Sequence, residues 1–315
     1  MKKITYFRLR RPSIVMNTLK LKSDFDDLSL GVAFLPAQGT PKAIFQIVHG
    51  MAEHKERYYP FMEFLSEHGY ACVIHDHRGH GESVKSEQDL GFMYGGGADA
   101  LVEDVLLVQD WAKGQFPNLP VYLFGHSMGS MVVRAFTRKY DDRIDKLIVC
   151  GCPSNNPGKG VGIGLASIIG GLCGSKHRSR LLNQLAFGGY GKLFEEGNPL
   201  AWLSANKANV ADYHRDPLCG FTFTANGFKN LFKIMKQCYA AKDWKMSKPT
   251  LPIMFISGGD DPCRISNKDF MGAVNFMKDR GYKDVTYQLY PGLRHEILLE
   301  GEKQVWDDVL EFIEK

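Results

Sequence analysis

Short apolar runs alternate with longer amphipathic stretches along most of this 315-residue chain, and that alternation limits its fold more than any other feature. The runs are Ile44 to His49, Ala71 to His75, Val121 to Phe124, Leu147 to Cys150, Ile253 to Ser257 and Val285 to Tyr290. Each is short and rich in β-branched or apolar residues, so each reads as a buried strand. Helical periodicity spans Tyr58 to His68, Asp99 to Lys113, Met128 to Tyr140, Lys268 to Arg280 and Glu302 to Glu314. In the second of these, Leu101, Val105, Val108 and Ala112 fall on one helical face. Strands alternating with helices imply right-handed crossovers, hence an α/β fold with a doubly wound, mostly parallel sheet. The first forty residues read as two extra strands forming an antiparallel lead-in.

One interval breaks the rhythm. From Gly151 to Lys248 no clear strand occurs; a glycine-rich start (GKGVGIGLASIIGGLCGS) gives way to helical and aromatic stretches. An interval this long is functional or a small inserted unit. We expect residues 1–150 and 249–315 to form the core, with 151–248 a helical cap inserted between strands six and seven. Such a cap would cover the carboxyl edge of the sheet, where α/β folds bind ligands.

Bulk properties exclude several classes. Hydrophobic content of 44% and charged content of 23% suit a globular protein. A net charge of +4 is too small and dispersed for nucleic acid, and Arg8 to Arg11 (RLRR in part) reads as a solvated strand end. The basic N-terminus lacks an apolar segment after it, so no cleaved signal peptide is expected. The longest apolar run, Val161 to Gly174, falls short of a membrane span. Most of the seven scattered cysteines read as buried thiols in a reducing compartment, and the expected location is cytoplasmic.

The strongest chemical signal is Gly125-His126-Ser127-Met128-Gly129. This G-x-S-x-G follows a strand and opens a helix, the context in which a serine is exposed on a sharp turn as nucleophile. The turn aims the Met128 N–H, at the positive end of a helix, toward a developing oxyanion. A serine needs a base oriented by an acid, in chain order Ser, Asp/Glu, His for this architecture. SGGDDPCR ends one strand and GLRHEILLE follows the next. His295 is therefore the expected base and Asp261 its orienting acid. Asp260 is the rival; the Gly258 to Pro262 frame favours Asp261 at the turn tip.

HDHRGHGES, His75 to Ser83, invites a metal reading because His75, His77 and His80 nearly match an H-x-H-x-D-H pattern. Position 79 is glycine where the pattern needs aspartate, so a metallohydrolase is the distant alternative and no metal or cofactor is expected.

Together HGMAEHKERY (from His49), HDHRGHGES, GHSMGS, SGGDDP and GLRHE resemble the monoacylglycerol lipase and lysophospholipase branch of the α/β-hydrolases. The resemblance covers nearly the whole chain outside the cap. It implies a triad of Ser127, Asp261 and His295, and an oxyanion hole formed by the Met51 and Met128 N–H groups. It puts Glu53 and Arg57 near the alcohol-binding end; an i,i+4 ion pair fixing the loop is the competing reading. In this branch D-x-R-G-x-G is a structural loop: Gly79 and Gly81 would allow its turn, and Asp76 and Arg78 would tie it to the oxyanion loop. Where monoacylglycerol lipases often carry a second histidine, this chain has Leu298.

The expected reaction is hydrolysis of carboxylic esters of lipid-like substrates through an acyl-serine intermediate. The partner is thus a small acyl ester, with transient membrane-surface contact through Gly162 to Leu172 and the basic residues Lys176, His177, Arg178 and Arg180. Phe187, Tyr190, Phe194, Trp202, Phe221, Phe223 and Phe228 would line an acyl tunnel or form the cap's own core. Short-chain carboxylesterase, thioesterase and N-terminal aminopeptidase activities are the alternatives on this fold.

Overall fold

A computed structural model describes residues 16–315; the Arg8 to Arg11 cluster and the N-terminal targeting expectation lie outside the described residues. Eight strands form one sheet: β1 (Asn17–Lys22), β2 (Ser29–Leu35), β3 (Ala43–Val48), β4 (Tyr70–His75), β5 (Val121–His126), β6 (Lys146–Cys150), β7 (Ile253–Gly258) and β8 (Val285–Tyr290). Their spatial order is β1-β2-β4-β3-β5-β6-β7-β8, with β1 and β2 antiparallel and the strands from β4 to β8 mutually parallel. The lead-in and the mostly parallel sheet agree with expectation. β3, β4 and β7 are buried along their whole length, as strands covered on both faces must be. β8 differs from its reading as a buried strand. It sits at the sheet edge, and its middle residues Thr286, Tyr287 and Gln288 are exposed.

Helices cover both faces. On one, α1 (Tyr59–Glu67) and α9 (Lys303–Glu314) pack Phe61, Leu65, Val305 and Val309 against Phe45, Phe124 and Ile148. On the other, α2 (Gly97–Gln115), α3 (Met128–Tyr140) and α8 (Asn267–Arg280) pack Leu101, Val105, Val132 and Phe270 against Val73, Leu123 and Phe255. Between β6 and β7 the chain forms four α-helices, α4 (Lys159–Cys173), α5 (Arg180–Phe187), α6 (Lys207–Arg215) and α7 (Ala225–Cys238), with two short 3-10 turns at Tyr190–Leu193 and Ala201–Leu203. Phe228, Leu231 and Ile234 of α7 join the hydrophobic cluster of α2 and α3, so this end of the interval is continuous with the core.

The chain leaves β3 for β4 on one side and reaches β5 on the other. The carboxyl ends of β3 and β5 therefore flank a topological switch point, where a crevice opens. Among the described residues no helix is long and apolar enough to cross a membrane. All seven cysteines are unpaired thiols, and all but Cys173 are buried.

Candidate active site

Ser127 stands at the switch point between β5 and α3 with φ 52° and ψ −116°, a strained left-handed backbone for a residue with a side chain. Its N–H donates to the Cys150 carbonyl at 3.0 Å, and the following helix holds it from the other side. The flanking glycines are required by close approach. A Cβ on Gly129 would lie 2.1 Å from the Val48 carbonyl oxygen, and one on Gly125 would lie 2.5 Å from that of Gly129.

Two distant segments meet the serine. His295 Nε2 lies 2.8 Å from Ser127 Oγ, and His295 Nδ1 lies 2.9 Å from Asp261 Oδ2. Asp261 is further bonded by the Cys263 N–H at 2.9 Å and Ser257 Oγ at 3.1 Å, whereas Asp260 is exposed. Burial alone would raise the Asp261 carboxyl, but His295 and these donors hold it below the usual carboxylate range. Burial alone would lower the imidazole; the adjoining Asp261 carboxylate, with Cys263, instead raises it well above 6.5.

The loop after β3 closes the other side of the serine. The Gly50 N–H donates to Glu53 Oε1 at 2.6 Å and the Ala52 N–H to His80 Nε2 at 3.1 Å, which brackets the Met51 N–H between two committed donors. Ala52 has φ 53°, and its carbonyl accepts from the Gly220 N–H and Tyr213 OH at 2.9 Å each, so the strained turn is held from several directions. Met51, Ser127 and Met128 all line the cavity described below.

The histidine-rich stretch braces this loop. The His77 N–H donates to His49 Nε2 at 2.9 Å, His77 Nε2 lies 3.1 Å from the His49 carbonyl oxygen, and His80 holds Ala52. Gly79 and Gly81 take φ 75° and 45°, as the tight turn demands. Asp76 accepts from Lys55 N–H and Nζ, both at 2.8 Å, and so does reach the segment following the loop after β3. Arg78 does not: it bonds Asp104, Asp26 and Ser23, anchoring α2 and the β1–β2 turn instead.

Glu53 and Arg57 form the i,i+4 ion pair at 2.7 Å. Glu53 faces the cavity with both oxygens already engaged, by Gly50 N–H, Tyr58 OH and Arg57. Burial would raise its carboxyl, but His126 and Arg57 hold it well below the usual range. Arg57 lies behind Glu53, bonded to Glu296 and Asn209.

A cavity of about 840 Å³ runs from Ser127 between the sheet edge and the β6–β7 interval. Phe187, Tyr190, Phe194, Trp202 and Phe221 line it. Phe223, just before α7, and Phe228, on the face of α7 toward α2 and α3, instead are fully buried in the main core; Leu231, Phe232 and Met235 of α7 line the cavity. All four residues of the expected basic flank are exposed; Arg178 donates to the carbonyls of Gln88, Leu90 and Thr222, and Lys176 pairs with Asp89.

A family model, Hydrolase_4 (serine aminopeptidase, S33), matches residues 39–302. The chain belongs to this family. Among its relatives, the monoacylglycerol lipase of Mycolicibacterium smegmatis is 28% identical over 284 residues, covering 87% of this chain and 88% of the relative. A lipase solved in an open form is 26% identical with a TM-score of 0.85, over 95% of this chain and 98% of that one. A Bacillus coagulans carboxyl esterase in complex with glycerol shares the fold, with a TM-score of 0.84 at 24% identity over 96% of this chain and 97% of that one. The sheet and its flanking helices are those of an α/β-hydrolase.

In this Hydrolase_4 chain two groups near the serine, His126 and Glu296, escaped the sequence reading, and so did the contact of the cavity-lining Trp202 with His295. His126, the x of G-x-S-x-G, lies 3.0 Å from Tyr58 OH through Nδ1 and 3.1 Å from the His295 carbonyl oxygen through Nε2. Glu296 binds Arg57 through both oxygens. Trp202 packs on His295 with ring centroids 5.0 Å apart. Leu298, in contrast, is buried in the hydrophobic cluster on the α1 and α9 face.

Proposed function

We propose that this protein is a serine hydrolase cleaving carboxylic esters of lipid-like substrates, of monoacylglycerol or lysophospholipid type, through an acyl-serine intermediate. The observation that carries the reading is the 2.8 Å contact of Ser127 Oγ with His295 Nε2 at the base of a largely apolar cavity of about 840 Å³. The names of its relatives, a monoacylglycerol lipase among them, agree with it.

In this mechanism Ser127 Oγ attacks the ester carbonyl carbon while its proton passes to His295 Nε2. His295 Nδ1–H donates to Asp261 throughout, fixing the tautomer and stabilising the imidazolium. The Met51 and Met128 N–H groups receive the negative charge that develops on the carbonyl oxygen. As the C–O bond breaks, His295 returns the proton to the departing alkoxide and releases the alcohol. Water then attacks the acyl carbon as it loses a proton to His295; the acyl–Oγ bond breaks, His295 returns the proton to Ser127 Oγ, and the acid leaves.

The segment 151–248 serves as the cap, with α4 and α5 at its outer surface. Val161 (77% exposed), Ile168, Leu172 (82% exposed), Leu181 and Leu185 present an apolar surface suited to resting on lipid. Lys176, His177, Arg178 and Arg180 stand exposed beside it, with Arg178 and Lys176 also bonded to the loop 88–90, so the attachment combines apolar contact with a basic flank. Leu172→Asp combined with Val161→Asp is expected to reduce sedimentation with phosphatidylcholine vesicles; unchanged sedimentation would remove the surface role.

The aminopeptidase alternative needs carboxylates free to hold an α-ammonium group. Glu53 and Glu296 stand near the serine, yet both are bonded to Arg57, which favours an uncharged ester. The test is a panel of monoacylglycerols, lysophospholipids, p-nitrophenyl esters of varied chain length and aminoacyl amides, run with wild type and Ser127→Ala. Turnover of acyl esters but not aminoacyl amides is expected, and preference for the amides would replace this reading with the peptidase one.

A further inference from the structure

His295 and Trp202 face each other within a short hydrogen-bonded register that joins the β6–β7 interval to the loop after β8. Arg294, before the histidine, donates through Nη1 to the carbonyl of Ala201, before the tryptophan, at 2.6 Å. The N–H of Glu296, after the histidine, donates to the carbonyl of Leu203, after the tryptophan, at 2.8 Å. Glu300 closes the same register, accepting from the Arg294 N–H at 2.6 Å and the Ala205 N–H at 2.7 Å. With both neighbours of each residue tied, the indole and imidazole are brought to a centroid distance of 5.0 Å and an interplanar angle of 43°. Phe187 and Tyr190 pack on the indole in turn, at 6.2 and 5.2 Å.

We propose that Trp202 is a positioning residue for His295: its indole fixes the imidazole and stabilises the imidazolium formed when His295 takes the Ser127 proton. The inference rests on the reading of His295 as the general base. An aromatic π face within about 6 Å of a cation attracts it, most strongly for tryptophan and in a desolvated site. His295 is such a site, being 2% exposed. The other groups facing the imidazole are Asp261 and Cys263 from the turn after β7, and Ser127 and His126 from the end of β5, with the His126 ring centroid at 4.9 Å. Tyr190 of the interval stands beyond, next to Cys263. Asp261 supplies the full charge opposite Nδ1, and Trp202 adds a face that neither the acid nor the serine provides. The interval thereby contributes to the chemistry and not only to the walls of the cavity.

The test measures kcat and KM for a p-nitrophenyl ester across the acid limb in the full-length wild type, Trp202→Phe and Trp202→Leu, together with tryptophan fluorescence over the same pH range. In Trp202→Leu the midpoint of the acid limb is expected to fall by about one unit, and plateau kcat by about threefold to tenfold with a smaller change in KM. Trp202→Phe, which keeps a weaker π face, should recover most of both. An imidazolium quenches an adjacent excited indole by accepting an electron, so wild-type fluorescence should drop as pH falls through the same midpoint, and this step should vanish in Trp202→Phe. An unmoved acid limb in Trp202→Leu with the loss confined to KM would overturn the proposal, as would a fluorescence step that persists in Trp202→Phe. His295→Gln separates the two layers: wild-type hydrolysis in that variant would overturn the general-base reading and the Trp202 role together, whereas an inactive His295→Gln beside an unmoved Trp202→Leu limb would overturn the Trp202 role alone.

Discussion

The Arg57 guanidinium reaches both carboxylate oxygens of Glu296, at 2.6 and 2.8 Å, while holding Glu53 at 2.7 Å. One cation thus joins the loop after β3 to the residue following His295, with both acids almost fully buried. Breaking a buried pair from one side strands the remaining charge, which costs more than the pair contributes. Arg57→Met would strand two carboxylates and is expected to lower the unfolding free energy by about 3–5 kcal/mol, while Glu296→Gln, which leaves Arg57 paired with Glu53, should lower it by about 1–3 kcal/mol. Urea denaturation of the two variants measures both; an Arg57→Met protein as stable as wild type would contradict this account of the cluster.

Asp260 and Asp261 are adjacent in sequence but only Asp261 touches His295. Asp261→Asn would leave the imidazole in the wrong tautomer, and a fall in kcat of about 10³–10⁴-fold is expected. Asp260→Asn should stay within about twofold of wild type, since a surface change away from such contacts has little effect. Steady-state kinetics on a p-nitrophenyl ester decide the assignment, and the reverse order of effects would transfer the role to Asp260.

Because Asp261 and Cys263 raise the His295 pKa well above 6.5, the histidine holds a proton at pH values where an ordinary imidazole would have lost it. Only the neutral ring can accept the serine proton, so kcat/KM should rise with pH through a midpoint above 6.5. Asp261→Asn should bring that midpoint down. A pH–rate profile with its acid limb centred below 6.5 would contradict the electrostatics described for the triad.

The histidines behind the loop after β3 are shifted in the opposite sense. Burial holds His75 and His80 down to about 3, and lowers His49 and His77 as well. The unfolded chain therefore binds protons first, and the stability these rings contribute is complete above 6.5 and lost as pH falls toward their folded values. Each such histidine adds a slope of about 1.4 kcal/mol per pH unit on the acid side. Neither ring nitrogen of His75 has a hydrogen-bond partner among the described residues. His75→Leu should therefore cost less than about 1 kcal/mol at neutral pH and flatten the acid limb of stability by one proton. Denaturant melts at several pH values test this, with an unchanged acid slope as the contradicting result.

Sequence reasoning reached the parts that local pattern controls. Strand–helix alternation, the turn at Ser127 and the strand-end positions of Asp261 and His295 all follow from short-range chemistry, and the structure brings those three residues together. What it missed is held by partners far apart in the chain. His126 reaches the His295 carbonyl, Glu296 reaches back to Arg57, and Trp202 is registered on His295 by bonds across the interval. No local signal reports such contacts. The Arg78 reading went astray for the same reason: an arginine in a loop can turn to either side, and here the buried Asp104 of α2 captured it. Phe223 and Phe228 looked like their cavity-lining neighbours because composition alone does not reveal that α7 joins the main core.

The central claim is that Ser127 becomes acylated during turnover. Intact-protein mass spectrometry after treatment with a fluorophosphonate, followed by peptide mapping, tests it most directly. A single adduct on Ser127 in wild type, with loss of esterase activity in parallel and no adduct in Ser127→Ala, is predicted. An adduct on another residue, or a Ser127→Ala protein that hydrolyses esters at the wild-type rate, would contradict the account.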